Sequence, residues 1–109
     1  MNILGTEYEI KECFRHEDAF LEKLQCDGYC DCTSKVIAIR KQDDYDNADR
    51  PEAHIRRVKR HEIIHAYLFE SGLGSDWTHE QGHDETTVDW MARQFPKIQK
   101  TFEEGGCTD

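Results

Sequence analysis

Residues 51–70 read Pro51-Glu52-Ala53-His54-Ile55-Arg56-Arg57-Val58-Lys59-Arg60-His61-Glu62-Ile63-Ile64-His65-Ala66-Tyr67-Leu68-Phe69-Glu70. Just before them, Asp49 is a helix cap, Pro51 suits the first turn and Glu52 stands three residues after the cap. The spacing predicts a helix from there to about Glu70 or Ser71, with Gly72 as a left-handed stop. Ile55, Val58, Ile63, Ile64, Tyr67, Leu68 and Phe69 cover a broad arc, so the helix is expected to be central and buried along much of its length.

Within that helix, His61-Glu62-Ile63-Ile64-His65 spells H-E-x-x-H. Residues four apart on a helix lie about 40° apart around the axis and about 6 Å along it, so both imidazoles project from one face. One metal ion can then bind both, while Glu62 flanks that face and is free to take a proton from a zinc-activated water. This is the layout of a zinc peptidase. Two histidines need a third protein ligand. The candidates downstream are His79, His83, Asp84, Glu85 and Asp89, with Glu85 favoured and His83 the alternative. Glu85 stands near the start of a further helix, and Asp89 lies four residues later on the same face. There it could accept the other ring N–H of His61 or His65. A three-histidine site with its third His shortly after a Gly is not indicated, because position 71 is Ser.

Outward from the motif, the rest of the chain reads as a small α+β unit. Ile3 to Lys11 is expected as a first strand and His16 to Leu24 as a short helix ending near Asp27-Gly28. Tyr29 to Cys32 and Val36 to Ile39, joined by Thr33-Ser34-Lys35, read as a β-hairpin. Lys41 to Asp49 is a polar loop, and Leu73 to Gly82 is a second loop carrying Trp77 and His79. A last, short helix from His83 or Asp84 places Val88, Met91, Ala92 and Phe95 at helical spacing and is expected to halt at Pro96. The polar residues 101–109 read as a mobile tail.

The 109 residues fit one domain with one core. A net charge of −9 argues against direct binding of nucleic acid or anionic membrane. Arg50, Arg56, Arg57, Lys59 and Arg60 crowd the segment before the motif, first of all as the solvated flank of an amphipathic helix, otherwise as a patch for an acidic partner. The start MNILGTEYEIKE has no basic segment followed by a long apolar one, and no run of eighteen apolar residues occurs, so a cytoplasmic location is expected. Five cysteines cannot all pair within one chain. Cys26, Cys30 and Cys32, with Cys13 or Cys107, form a weaker candidate for a separate metal. On a strand, Cys30 and Cys32 would share one face as packing residues.

The combination HEIIHAYLFESGL followed by HDETTVDWMARQFPKI resembles the glutamate-zincins, or gluzincins. More narrowly it resembles the short ImmA/IrrE-like metalloendopeptidases and minigluzincins. NILGTEYEI and DGYCDCTSKVIAI add to the likeness, which spans most of the chain. The resemblance implies one Zn²⁺ on His61, His65 and Glu85, Glu62 as general base, and Asp89 as the partner of the ligand set. It also implies a small twisted sheet packed on the H-E-x-x-H helix, and a peptide or protein substrate held on an edge strand, for which Val36 to Arg40 is the candidate. Larger gluzincins add an oxyanion donor from a second lobe; here His79, His83 or Tyr67 would have to serve. The alternatives are a non-catalytic zinc-binding domain acting in protein–protein interaction, and a latent peptidase whose tail presents Cys107 to the metal.

Overall fold

Asp18 shows how closely local chemistry sets the architecture. Its Oδ1 accepts the N–H groups of Phe20 and Leu21, so helix α1 (Ala19–Leu24) starts one residue later. The preceding residues make only a single 3₁₀ turn at Arg15–Glu17. A computed structural model describes residues 1–45, 51–73 and 84–108. The expected cap at Asp49, and the loop positions Trp77, His79 and His83, lie outside the described residues.

The expected first strand is divided. Leu4 and Gly5 both take positive φ, 50° and 92°, and Asn2 Oδ1 accepts the Gly5 N–H. A two-residue turn of that kind closes a hairpin between β1 (Asn2–Ile3) and β2 (Thr6–Glu7). Strand β3 (Glu9–Cys13) then enters a separate three-stranded sheet with β4 (Gly28–Asp31) and β5 (Val36–Arg40), in the order β3-β5-β4. β4 and β5 form the expected antiparallel hairpin, whereas β3 runs parallel to β5.

Val36–Arg40 is therefore the central strand, and the expectation that it is a peptide-binding edge is overturned. Its ladder groups face β3 on one side and β4 on the other, and Ile37, Ala38 and Ile39 are fully buried on the two faces of the sheet. The edges of the sheet are β3 and β4.

Register sorts the two faces. Ile10, Ile37 and Cys30 stand in one row and point toward helix α2 (Pro51–Glu70), where they meet Ile55, Val58, Ile63 and Ala66. Lys11, Ala38 and Tyr29 stand in the next row and point the other way, toward α1, where Lys11 and Tyr29 both reach Asp18. Each fully buried isoleucine of β5 contributes about 1.5–3 kcal/mol of burial. The far end of α2 is fixed by Glu70, which accepts hydrogen bonds from Tyr8 and Thr6 and pairs with Lys35.

Helix α3 (Glu85–Glu104) packs on another face of α2 through Val88, Ala92 and Ile64. The expected short helix halting at Pro96 is not what forms; α3 runs through that residue for 20 in all. Pro96 has no N–H to give the Ala92 carbonyl four residues back. Arg60 on α2 supplies the missing donor, its Nε–H lying 2.7 Å from Ala92 O. Residues 101–104, expected in the tail, complete the last helical turn. The result is an α+β architecture with α2 between the sheet and α3. Among the described residues no helix is long and apolar enough to cross a membrane.

Candidate metal centre

His61 and His65 project one turn apart from α2, with their Nε2 atoms 3.1 Å from each other. Glu85 is the first residue of α3, whose start is fixed by Asp84 accepting the Thr87 N–H and hydroxyl. Val88 and Ala92, packed against α2, lie three and seven residues after Glu85, so the same stripe of the helix turns the glutamate toward the histidines. Its Oε2 lies 2.9 Å from His61 Nε2 and its Oε1 3.1 Å from His65 Nε2. Among the described residues, these three side chains are the group able to hold a metal, with their ligand atoms all within 4.8 Å of one another.

The donor set fits a divalent cation. Ligand atoms about 2.05 Å from a tetrahedral zinc stand about 3.3 Å apart; the two imidazole nitrogens are 3.1 Å apart, and Glu85 meets each of them through a different oxygen, so a turn of its exposed carboxylate would set one oxygen between them. Two imidazole nitrogens and a carboxylate are also the borderline-hard donors that such an ion accepts.

Asp89 lies beside His61 but makes no hydrogen bond to it. Its Oδ1 is 3.6 Å from His61 Nδ1, facing the second ring nitrogen at more than hydrogen-bond length. Its other oxygen accepts from Arg93 Nε at 2.7 Å, and that contact holds the Asp89 carboxyl below its ordinary range.

Glu62 stands beside the ligands and is only 6% exposed. Burial pushes its carboxyl up to about 8, with the negative charge of Glu85 and of Cys32 adding to the effect. A cation on the neighbouring ligands would act in the opposite sense and favour the carboxylate. Gly28, which sequence reasoning treats only as the end of a helix, is what allows β4 to approach this carboxylate. A Cβ there would lie 2.7 Å from Val58 Cγ1, 3.2 Å from the Ala38 carbonyl and 3.3 Å from Glu62 Cγ.

The ligands open into a cleft of about 820 Å³ between β4, α2 and the start of α3. Nearer the N-terminus of α2 the cleft includes a polar group that the motif did not announce. His54 Nε2 is 2.8 Å from Asp27 Oδ2 and its Nδ1 is 3.1 Å from Arg57, while Arg15 and Arg40 bind the other Asp27 oxygen. The signal was present: His54 precedes His61 by seven residues, two helical turns on the same stripe. Arg57 is thus part of the cleft wall, and Arg60 is spent on Ala92; neither is simply a solvated flank.

Other sequence candidates are not brought to this site. Tyr67 lies on the opposite side of α2, in an apolar groove with Leu68, Met91 and Phe95. Cys107 is folded back on the end of α3, with both its N–H and its Sγ reaching the Phe102 carbonyl. The 20-residue helix between them sets Cys107 about 30 Å from Glu85, too far to serve as a plug. Cys26, Cys30 and Cys32 line the cleft but form no metal-capable cluster among the described residues, which corrects the expectation of a separate cysteine site. No family model, curated protein or solved structure matches the chain.

Proposed function

We propose that this chain is a minimal zincin-type metallopeptidase that holds one Zn²⁺ on His61, His65 and Glu85. The carrying observation is the convergence of those three side chains beside the buried Glu62 at the wall of an open cleft. Zinc in such a site supplies Lewis acidity that acidifies a water and polarises a carbonyl. Glu62 takes up and later returns the proton, and its burial beside Gly28 fixes its carboxylate against β4. β4, the edge strand bordering the cleft, replaces β5 as the place where an extended peptide adds to the sheet. This assignment agrees with the gluzincin resemblance of the motif and of Glu85.

A structural zinc is the second reading, favoured by one observation. Glu85 comes from α3 and the histidines from α2, so the ion would staple the two long helices. Comparing wild type with Glu62→Gln, both loaded with Zn²⁺, on a fluorogenic peptide library separates the two. For a peptidase, zinc content is equal and cleavage falls by at least about 100-fold in the variant. Equal cleavage, or none in either protein alongside loss of fold on zinc removal, assigns the ion a structural role.

A further inference from the structure

Two thiols stand side by side in the wall of the cleft. Cys30 lies on β4 and Cys32 just beyond it, with their sulfurs 3.5 Å apart. Residues i and i+2 of a flat strand share a face but are separated by about 6.7 Å along it. Here the chain bends at Asp31, whose Oδ1 accepts the N–H groups of Thr33 and Ser34 and turns the backbone directly after the strand. That turn brings the second sulfur onto the first. Both residues are half-buried, both are free thiols, and both line the same cleft as His61, Glu62 and His65.

We propose that Cys30 and Cys32 form a redox-active dithiol, which low-molecular-weight disulfides such as oxidised glutathione convert to an intramolecular disulfide. The sulfurs need to approach by only about 1.5 Å to reach the bonding distance of about 2.05 Å. Cys32, as thiolate, attacks one sulfur of oxidised glutathione; that S–S bond breaks and one glutathione leaves as a thiol. Cys30 then gives up its proton to solvent and attacks the Cys32 sulfur, releasing the second glutathione. The two cysteines lose two electrons and two protons, and one glutathione disulfide gains them as two thiols.

The surroundings distinguish the partners. The close contact with the Cys30 sulfur, with the Lys35 charge beside it, outweighs burial and brings the Cys32 thiol down to about 7. The same contact, together with burial, raises the Cys30 thiol. Cys30 packs on the core cluster while Cys32 lies beyond the end of β4, so Cys32 is the attacking sulfur and Cys30 the resolving one. Cys30 also packs against the core beside Ile37, so closing a ring around Asp31 bends the end of β4 and reshapes the wall of the cleft. The proposal does not rest on the peptidase assignment, since the dithiol needs neither metal nor substrate.

The test equilibrates the full chain, zinc-free and zinc-loaded, in graded mixtures of reduced and oxidised glutathione, quenches with iodoacetamide and maps the products by mass spectrometry. The expected result is joint loss of alkylation at Cys30 and Cys32, with two hydrogens lost from the peptide that holds both and Cys13, Cys26 and Cys107 still alkylated. In Cys30→Ser a glutathione adduct should persist on Cys32; in Cys32→Ser the remaining thiol should react at least about 10-fold more slowly. Three results overturn the proposal: full alkylation of both cysteines at every ratio, a disulfide joining either one to Cys26, or a lasting glutathione adduct on the wild type. Protection of the pair by Zn²⁺ alone also overturns it, because the sulfurs would then be ligands.

Discussion

Arg60 and Pro96 should be energetically coupled although they lie on different helices. Pro96 leaves the Ala92 carbonyl without its intrahelical donor, and Arg60 Nε–H occupies it at 2.7 Å. Arg60→Met keeps an apolar stem of similar length and removes the guanidinium. A hydrogen bond from a charged donor contributes about 1.5–3 kcal/mol, and because this one is only partly buried a loss of about 1.5–2 kcal/mol is expected. In a Pro96→Ala background the substituted residue offers its own N–H to Ala92, so the same Arg60→Met change should cost only about 0.5 kcal/mol. The cycle therefore predicts a coupling of about 1–1.5 kcal/mol, readable as shifts in urea midpoint at constant slope. Additivity within about 0.4 kcal/mol would refute the claim that Arg60 is what lets α3 continue through the proline. Because α3 carries Glu85, Arg60→Met should also weaken Zn²⁺ binding more in the protein that keeps Pro96 than in the Pro96→Ala background.

Glu85→Ala should weaken Zn²⁺ binding by more than about 100-fold in a chelator competition, since even hydrogen-bonded partners of metal ligands cost 10–100-fold; Asp89, 3.6 Å from His61 Nδ1 and held by Arg93, should cost less than about 10-fold as Asp89→Ala. Equal affinities for wild type and Glu85→Ala would remove Glu85 from the ligand set. Gly28→Ala should destabilise by about 1–3 kcal/mol in thermal or urea unfolding, because the new methyl meets Val58 Cγ1 at 2.7 Å and the Ala38 backbone at 3.2 Å. An unchanged midpoint would mean that β4 is not pressed on α2. Burial alone would raise the Asp18 carboxyl, but Lys11, the Leu21 N–H and the Tyr29 hydroxyl together hold it at about 2. With 3.8 as its ordinary value, that depression stabilises the fold by about 2 kcal/mol, present above pH 4 and lost as pH falls through about 2. Asp18→Asn should flatten the stability profile across that window, and an unaltered profile would contradict the assignment.

The parts of the molecule legible in the sequence are those set by neighbours along the chain. His61 and His65 face one way because a helix repeats every 3.6 residues, and Glu85 with Val88 and Ala92 follows the same rule on α3. The β4–β5 hairpin was legible in its alternation and its turn residues. What failed depended on partners far away in sequence. Nothing in Val36–Arg40 announces that Glu9–Cys13 will pair with it in parallel and make it central. Pro96 reads as a stop because its rescue comes from a residue 36 positions upstream. Leu4 hides the first hairpin because leucine rarely takes a positive φ, and only Gly5 beside it hinted at a turn.

Moving the sheet edge from β5 to β4 has a consequence for how a peptide would be held in the proposed peptidase. Arg40 N–H donates to the Asp27 carbonyl at 2.8 Å, and the register pairs Gly28 with Ile39 and Tyr29 with Ala38. In an antiparallel ladder the hydrogen-bonded pairs alternate, so Asp27, Tyr29 and Asp31 turn their backbone groups toward β5. Gly28 and Cys30 then present their N–H and C=O groups outward. A peptide adding to β4 should therefore bond through every second residue, and N-methylation walked along a cleaved peptide should show that period. Methyl groups on the bonding residues should slow cleavage about 10-fold each, since a net backbone hydrogen bond is worth about 0.5–1.5 kcal/mol and the methyl adds a clash. Methyl groups on the intervening residues should have little effect. Equal sensitivity at every position, or at none, would rule out capture on the β4 edge and leave the cleft to bind peptides through their side chains.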